Sequence, residues 1–151
     1  MHIYGRIILA VLTIILYSCS TDTVYHKYIP TKNDRWNKED TLSFVISDSL
    51  DTAIYNTEIG IRHTEIYPYK DLWLSITYPN KVTSDTIHVY LANDRGNWNS
   101  SGSTGGYFQY SVQAGEFNYS SIGDSIIKIN HIMNDSPLIG ITDIGLKISR
   151  K

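Results

Sequence analysis

Histidine and glutamate side chains are the residues of this chain that could bind a metal ion. His63 and Glu65 lie two residues apart, so both side chains point the same way in an extended segment. Together with His88 or His131 they could supply the ligands of a metal site. No spacing enforces that arrangement, and scattered histidines in a β protein are more often surface or turn residues. We therefore predict no metal site and no bound cofactor.

Paired carboxylates are a second chemistry to consider, because two of them can hydrolyse a glycosidic bond. No motif fixes the separation of any two candidates, which are Asp34, Glu39, Asp40, Glu58 and Asp94. A Ser-His-Asp set has all its residue types, but the Gly-x-Ser-x-Gly turn that presents a nucleophilic serine is missing. Such residues are commonly found at strand ends and on solvated faces. The sequence predicts no catalytic residues and no enzyme activity.

Aromatic side chains offer a third chemistry, since flat rings stack on sugars and on the side chains of partner proteins. Trp36 and Trp73 are better explained by packing, and Trp73 lies within an apolar strand pattern. Trp98 differs, because it lies among Gly, Ser and Asn in a long connection over 93–106 that offers little apolar cover. The sequence therefore predicts an exposed contact residue at Trp98 and a packed one at Trp73.

The only cysteine, Cys19, follows an apolar run over 7–16 that is too short to span a bilayer. A basic start, an apolar run and a small residue together form a secretory signal. The segment Leu16-Tyr17-Ser18-Cys19 resembles a bacterial lipobox, in which the signal is removed and the new terminal cysteine is acylated, for example with palmitate. We predict a signal peptide over 1–18, lipid attachment at Cys19 and a lipidated tether over 19–24. An uncleaved anchor is the alternative.

Charge and cysteine content exclude some classes of partner. Arg6 is the only charged side chain in 1–18, so the remaining chain has 12 Lys and Arg against 15 Asp and Glu. Nucleic-acid binding needs a basic stripe that displaces counterions, and none is present. Once Cys19 is acylated, no thiol remains for a disulfide or a thiolate nucleophile. Stability must then come from an apolar core.

Apolar residues beyond the signal recur with period 2, which is the period of a β-strand. Turn signals such as Pro79-Asn80 and Gly115 fall between the apolar segments. Strands with one apolar face pack as two antiparallel sheets. We therefore predict an all-β fold, a single antiparallel, jelly-roll-like β-sandwich over 25–151 with about eight strands. They are expected near 25–29, 42–46, 55–61, 72–78, 87–91, 108–112, 125–130 and 144–148.

Several segments, in order along the chain, resemble the GldH family of gliding-motility lipoproteins. The block Tyr67-Pro68-Tyr69-Lys70-Asp71-Leu72-Trp73 is the most specific of them. The others include Trp36 to Asp40, Arg62, Gly96-Asn97-Trp98 and the ending from Met133 to Gly145. The resemblance implies a Bacteroidota cell-envelope lipoprotein tied to gliding motility, with no catalytic residues. It also makes Arg62, Tyr67, Tyr69 and Trp98 candidates for binding a protein partner or a glycan.

The resemblance and the anchor together predict a non-enzymatic, accessory or structural component of an outer-membrane assembly related to gliding and type IX secretion. Its partners would be the outer membrane, through the lipid, and other envelope proteins. The alternative is a β-sandwich module that binds a glycan or peptidoglycan. An exposed aromatic platform beside Trp98 would favour that alternative.

Two further expectations concern the residues that follow Cys19. Ser20 resembles the residue that permits transport to the outer membrane, and only Asp22 is acidic in the tether, so we predict the periplasmic face. Asp22-Thr23-Val24 resembles the O-glycosylation acceptor motif of the Bacteroidota. Thr23 is therefore a candidate O-glycosylation site, although turn-to-strand junctions generate the same pattern elsewhere in the chain.

Overall fold

A computed structural model of the chain describes residues 22–46, 50–100, 102–120 and 125–151. The predicted signal peptide and Cys19 lie outside the described residues. No helix within the described ranges is long and apolar enough to cross a membrane. These ranges contain eleven strands. They are β1 (Thr23–Pro30), β2 (Arg35–Trp36), β3 (Leu42–Val45), β4 (Ala53–Thr64), β5 (Asp71–Thr77), β6 (Asp85–Tyr90), β7 (Gly102–Thr104), β8 (Tyr107–Tyr119), β9 (Ile126–His131), β10 (Leu138–Ile139) and β11 (Ile141–Arg150).

The strands form two main sheets with antiparallel pairing. The five-stranded sheet has the order β1-β11-β4-β8-β7, and the four-stranded sheet has the order β3-β9-β5-β6. The short strands β2 and β10 pair with each other. The predicted all-β antiparallel sandwich is confirmed, and its eight predicted strands correspond to β1, β3, β4, β5, β6, β8, β9 and β11.

The core lies between the two sheets because inward-facing positions of the strands are apolar. Tyr55, Ile59 and Ile61 of β4 are fully buried, and so are Leu72 and Leu74 of β5. Burying one such side chain stabilises the fold by about 1.5–3 kcal/mol relative to leaving it exposed. Successive residues of a strand point to opposite faces. The alternation that fills the core therefore also decides which side chains face outward.

Gly115 lies within a strand and does not form the predicted turn. In the pairing of β4 with β8, Thr57 faces Gly115 and Glu58 faces Gln113, so Ala114 is an extra residue and forms a β-bulge. The backbone of Gly115 has φ of 122°, which only glycine adopts readily. The bulge lets β8 continue to Tyr119 and bury Phe117, which the shorter predicted strand left out.

The first strand begins earlier than the sequence predicts. Thr23 pairs with Ser149, and Tyr25 pairs with Ile148 after a register shift. Thr23 and Val24 therefore belong to β1 and not to the tether, which the sequence analysis extended to residue 24. Backbone hydrogen bonding to β11 outweighs the polar composition of this segment.

Candidate functional site

Trp98 is half-buried and packs against the core, which corrects the expectation of an exposed indole. Asn93 closes the preceding turn, because its side-chain oxygen accepts hydrogen bonds from the backbone N–H of Arg95 and Asn97. The chain then folds back, and the Trp98 ring meets the His63 ring edge-on with centroids 4.6 Å apart. Apolar cover comes from distant residues, which the polar neighbours of Trp98 do not reveal.

Tyr67 and His63 are buried beside Trp98. Tyr67 is 2% exposed, and its hydroxyl donates a hydrogen bond to the backbone carbonyl of Asp71. Burial raises the pKa of Tyr67. His63 is fully buried, donates from Nδ1 to the carbonyl of Thr64, and has its pKa lowered by that burial. Their burial argues against a contact role for Tyr67 and against metal binding by His63.

The other metal and carboxylate candidates do not converge. Glu65 is exposed in the turn after β4, and His131 is buried against Trp36 with centroids 5.1 Å apart. Glu58 forms an ion pair with Lys147 on the five-stranded sheet. Asp94 is exposed in the loop after β6 and forms an ion pair with Lys70. Within the described ranges, no group of three or more His, Cys, Asp and Glu side chains could hold a metal ion.

Trp73 is 38% exposed on the outer face of the four-stranded sheet, so the prediction that it packs against the core is wrong. Its neighbours in β5, Leu72 and Leu74, face inward, and the alternation directs Trp73 to solvent. Across the sheet, Trp73 faces His88 and the two rings stack with centroids 3.8 Å apart. The ring of Tyr90, 56% exposed, lies 4.2 Å from that of His88. We call Trp73, His88 and Tyr90 the aromatic shelf.

Hydrogen bonds fix the aromatic shelf in place. His88 Nε2 lies 2.8 Å from a carboxylate oxygen of Asp71, which holds the imidazole ring flat against Trp73. The backbone N–H of Trp73 donates to the sulfur of Met133, and the N–H of Ile132 donates to the Trp73 carbonyl. The shelf is therefore a preordered aromatic surface on rigid strands.

A groove of about 500 Å³ adjoins the aromatic shelf. Its apolar wall includes Ile132, which is 43% exposed, and Met133. Its acidic rim consists of Asp71 and Asp135, and Asp135 accepts a hydrogen bond from the hydroxyl of Tyr69. Tyr69, which the sequence analysis made a candidate for binding a partner or a glycan, thus lines this groove. The full lining is Tyr69, Asp71, Trp73, Ile132, Met133, Asn134 and Asp135.

Arg62, the remaining contact candidate, lies on the opposite side of the molecule. It is on the outer face of the five-stranded sheet, with its guanidinium carbon 3.8 Å from the centroid of the Tyr28 ring. Its Nε donates a hydrogen bond to Gln109. The structure therefore brings together Tyr69 and Trp73, buries Tyr67, half-buries Trp98, and places Arg62 on the other sheet.

The sequence contains a signal for the aromatic shelf in the alternation of its strands. His88 and Tyr90 alternate with Ile87 and Val89, just as Trp73 alternates with the apolar residues of β5. Two outward-facing aromatic sets on strands that pair as neighbours must lie side by side. What the sequence could not supply was the pairing register.

Thr23, the predicted O-glycosylation site, is half-buried at the start of β1 and not in a solvated tether. The structure thereby removes the solvated-tether argument for a glycan at Thr23, and glycosylation there stays a prediction. Lipid attachment at Cys19 also stays a prediction, because that residue lies outside the described part of the chain.

A family model described as GldH lipoprotein matches residues 23–148 of the chain. The chain is 28% identical to a gliding motility lipoprotein GldH of Flavobacterium johnsoniae, and the match covers 100% of this chain and 99% of that protein. It is also 28% identical to a GldH homolog of Christiangramia forsetii, over 93% of this chain and 92% of that protein.

The solved structures that match this chain have low sequence identity and TM-scores below 0.5. A two-module fragment of a Clostridium thermocellum xylanase, complexed with xylohexaose, matches with 12% identity and a TM-score of 0.42. The match covers 87% of this chain but only 29% of that one. A xylan-binding domain from Paenibacillus barcinonensis matches with 9% identity and a TM-score of 0.36, over 88% of this chain and 97% of that domain.

Proposed function

This chain belongs to the GldH lipoprotein family, and from that premise we propose that it is a non-enzymatic docking component of a gliding-related assembly. The assembly would lie at the outer membrane and overlap the machinery of type IX secretion. The chain would be held by acyl chains on Cys19 at the periplasmic face. Its relatives bear names that refer to gliding motility. Those names support an involvement in gliding motility, whereas the docking role rests on the surface described below.

The aromatic shelf with its acidic groove is the observation that carries this proposal. Exposed Trp and Tyr side chains on a preordered surface are the residues that most often dominate binding energy at protein interfaces. Trp73 and Tyr90 are 38% and 56% exposed, and Ile132 of the adjoining apolar wall is 43% exposed. A surface of this composition on a solvent-facing sheet is typical of an interaction site.

We infer that the lipid anchor at Cys19 would lie near the end of the sandwich that is remote from the shelf. Cys19 precedes Thr23 by four residues, which span at most about 14 Å when extended. β1 starts at Thr23 beside the start of β4, because both ends pair with the last residues of β11. The 12 residues of β4 then run about 40 Å to the other end. After Thr64 the chain turns there into β5, which carries Trp73 as its third residue.

The acidic rim indicates which partner segment the groove fits. Asp71 and Asp135 flank an apolar wall formed by Ile132 and Met133. An apolar side chain next to a lysine or arginine would bury its carbon atoms on the wall and pair its charge with a carboxylate. We propose that the partner is an envelope protein that presents such a segment to the end of the sandwich remote from Thr23.

A genetic experiment in the native host tests the proposed role. Deletion of the gene should abolish surface spreading, wild type should restore it, and a Trp73→Ala, Tyr90→Ala double variant should not. Val45→Ala is the matched control, since Val45 is 57% exposed on an edge strand of the same sheet but does not line the groove. Normal spreading of the deletion strain, or full restoration by the double variant, would contradict the proposal.

The anchor has a separate test. Acyl chains hold a protein on a membrane because each buried CH₂ contributes about 0.8 kcal/mol. Cys19→Ala should therefore leave uncleaved precursor, incorporate no labelled palmitate and fail to fractionate as a mature outer-membrane protein. Protease treatment of intact cells should spare the wild-type protein if it faces the periplasm. Equal palmitate labelling of both proteins would reject the anchor, and loss of the protein on shaving would reject the periplasmic face.

A further inference from the structure

The outer face of the five-stranded sheet has its smallest residues at its centre. Gly60 of β4 pairs with Gly145 of β11 on one side and with Ser111 of β8 on the other. Glycine in a strand interior often marks a place where another group approaches the backbone closely. Here that group is Tyr28, because a Cβ added to Gly145 would lie 2.6 Å from its ring. A Cβ on Gly60 would meet the hydroxyl of the same tyrosine.

The Tyr28 ring lies over the two glycines, and this ring in turn positions Arg62. The guanidinium of Arg62 stacks on the Tyr28 ring, and its Nε is held by the side-chain oxygen of Gln109 at 3.0 Å. Among the side chains that the structure describes, no carboxylate forms an ion pair with Arg62. The stacked, hydrogen-bonded guanidinium is thus a preorganised donor fork with its terminal nitrogens available to a ligand.

Two neighbouring cavities open on this face, one of about 530 Å³ and one of about 290 Å³. Gln109 lines both, and we call the two together the polar trough. Arg62, Thr142 and Asp143 line the larger cavity, and Tyr28 lines the smaller. Thr142 is 6% exposed, and its hydroxyl has no hydrogen-bond partner among the described residues. A buried hydroxyl beside a cavity is satisfied when a polar ligand supplies the missing partner.

The lining of the polar trough matches the chemistry of a sugar. The lining contains both donors and acceptors, and the charges of Arg62 and Lys147 are balanced by those of Asp143 and Glu58. Tyr107, 55% exposed, adds an aromatic ring at the rim. Adjacent hydroxyl groups of a sugar donate to carboxylates and accept from guanidinium groups, while the C–H face of the ring packs on aromatic side chains. An anionic ligand would instead meet the two carboxylates.

We propose that the polar trough binds a neutral oligosaccharide, with Arg62, Gln109 and Asp143 hydrogen-bonding its hydroxyl groups and Tyr107 packing against a ring face. Tyr28 is a positioning residue, because it acts by holding Arg62. This activity does not rest on the docking function proposed above. The polar trough and the aromatic shelf lie on the outer faces of opposite sheets, so each surface can be inactivated while the other stays intact.

Saturation-transfer difference NMR of the lipidated protein in lipid nanodiscs tests the proposal without glycoside detergents, which are themselves sugars. The probes are xylohexaose, cellohexaose, mannohexaose and chitohexaose, each titrated to millimolar concentration, with polygalacturonate as the anionic comparison. At least one neutral probe should bind saturably. Arg62→Ala and Gln109→Ala should each weaken that binding at least tenfold, and Tyr107→Ala should weaken it several-fold.

Asn118→Ala is the matched control, because Asn118 lies exposed on the same strand as Gln109 but does not line the trough. It should bind the probe as wild type does. Thermal melts of every variant should be within a few degrees of wild type, and Arg62→Lys covers the case in which Arg62→Ala unfolds. The proposal is overturned if no neutral probe binds, if only polygalacturonate binds, or if binding survives Arg62→Lys and Gln109→Ala unchanged.

Discussion

The local sequences around Trp73 and Trp98 suggest the opposite of the solvent exposure that each side chain has in the structure. Trp73 lies between leucines in a strand and is 38% exposed, whereas Trp98 follows Gly96-Asn97, contacts His63 and packs against the core cluster. The pleat decides the first case, because the neighbours of an inward residue must point outward. Tertiary contacts decide the second. Local composition is therefore a poor guide to the exposure of an aromatic residue in a β-sandwich.

The largest expected effect is on the stability of the packed region. Trp98→Ala removes a half-buried indole from His63 and Phe108, and it should lower the free energy of unfolding by about 2–3 kcal/mol, somewhat below the cost at a fully buried site. Urea unfolding of the chain lacking residues 1–21 measures this. Trp98→Phe, which keeps a ring at the site, should recover part of the loss. A stability within about 0.5 kcal/mol of wild type would mean that the ring does not pack there.

Acid should destabilise the packed region next. Burial lowers the pKa of His63 and of His131 below the ordinary value of 6.5, so the unfolded chain binds more protons than the folded chain just below that pH. Stability is complete above pH 6.5 and is lost as pH falls below it, by up to about 1.4 kcal/mol per pH unit for each histidine. Urea midpoints between about pH 7 and pH 5 should show this slope, and His63→Phe should make it shallower. An unchanged slope in the variant would remove His63 as a cause.

Substitution on the aromatic shelf should have a smaller effect on stability. Trp73→Ala removes stacking on His88 from the outer face of the sheet and leaves no cavity in the core, so it should cost less than about 1 kcal/mol. The same urea experiment, run beside Trp98→Ala, gives the direct contrast between the two regions. If Trp73→Ala is the more damaging of the two, the comparison between shelf and core is reversed.

The smallest expected effect on stability comes from the acidic rim. Asp71→Asn keeps the side-chain shape and an acceptor for His88 but removes a charge, so stability should stay within about 0.5 kcal/mol of wild type. Recovery of the partner in crosslinking should nevertheless fall relative to wild type, more at about 50 mM salt than at about 150 mM, because salt screens the attraction that the substitution removes. Recovery equal to wild type at both salt concentrations would argue against a basic partner segment.

The sequence predicted the fold well and the surface poorly, for a physical reason. Period-2 alternation is set by the backbone, so the strands that contain Ile59, Leu74 and Leu146 could be located without a structure. Gly115 was misread because a glycine with positive φ serves a bulge as well as a turn. Alternation identifies a strand and its two faces, but it does not identify the neighbouring strand.

The candidate site depended on register, which the sequence does not contain. Tyr69 was identified as a contact candidate and does line the groove, but its partners Met133 and Asp135 come from a distant segment. Arg62 was identified too, but its orientation depends on Tyr28. The ring of Tyr28 extends from β1 over Gly60 and Gly145 and packs against the Arg62 guanidinium. A binding surface forms only when candidate residues meet others that are far apart in the chain, and the sequence does not show those contacts.

Site-specific photo-crosslinking in native cells tests the docking claim most directly. A benzophenone amino acid replaces Tyr90 on the aromatic shelf in one strain and Val45, exposed on another strand of the same sheet, in a second. We predict a discrete adduct with an envelope protein from position 90, absent from position 45 and lost when Trp73→Ala is added. The same adducts from both positions, or an adduct at position 90 that survives Trp73→Ala, would contradict the assignment of the aromatic shelf as the docking surface.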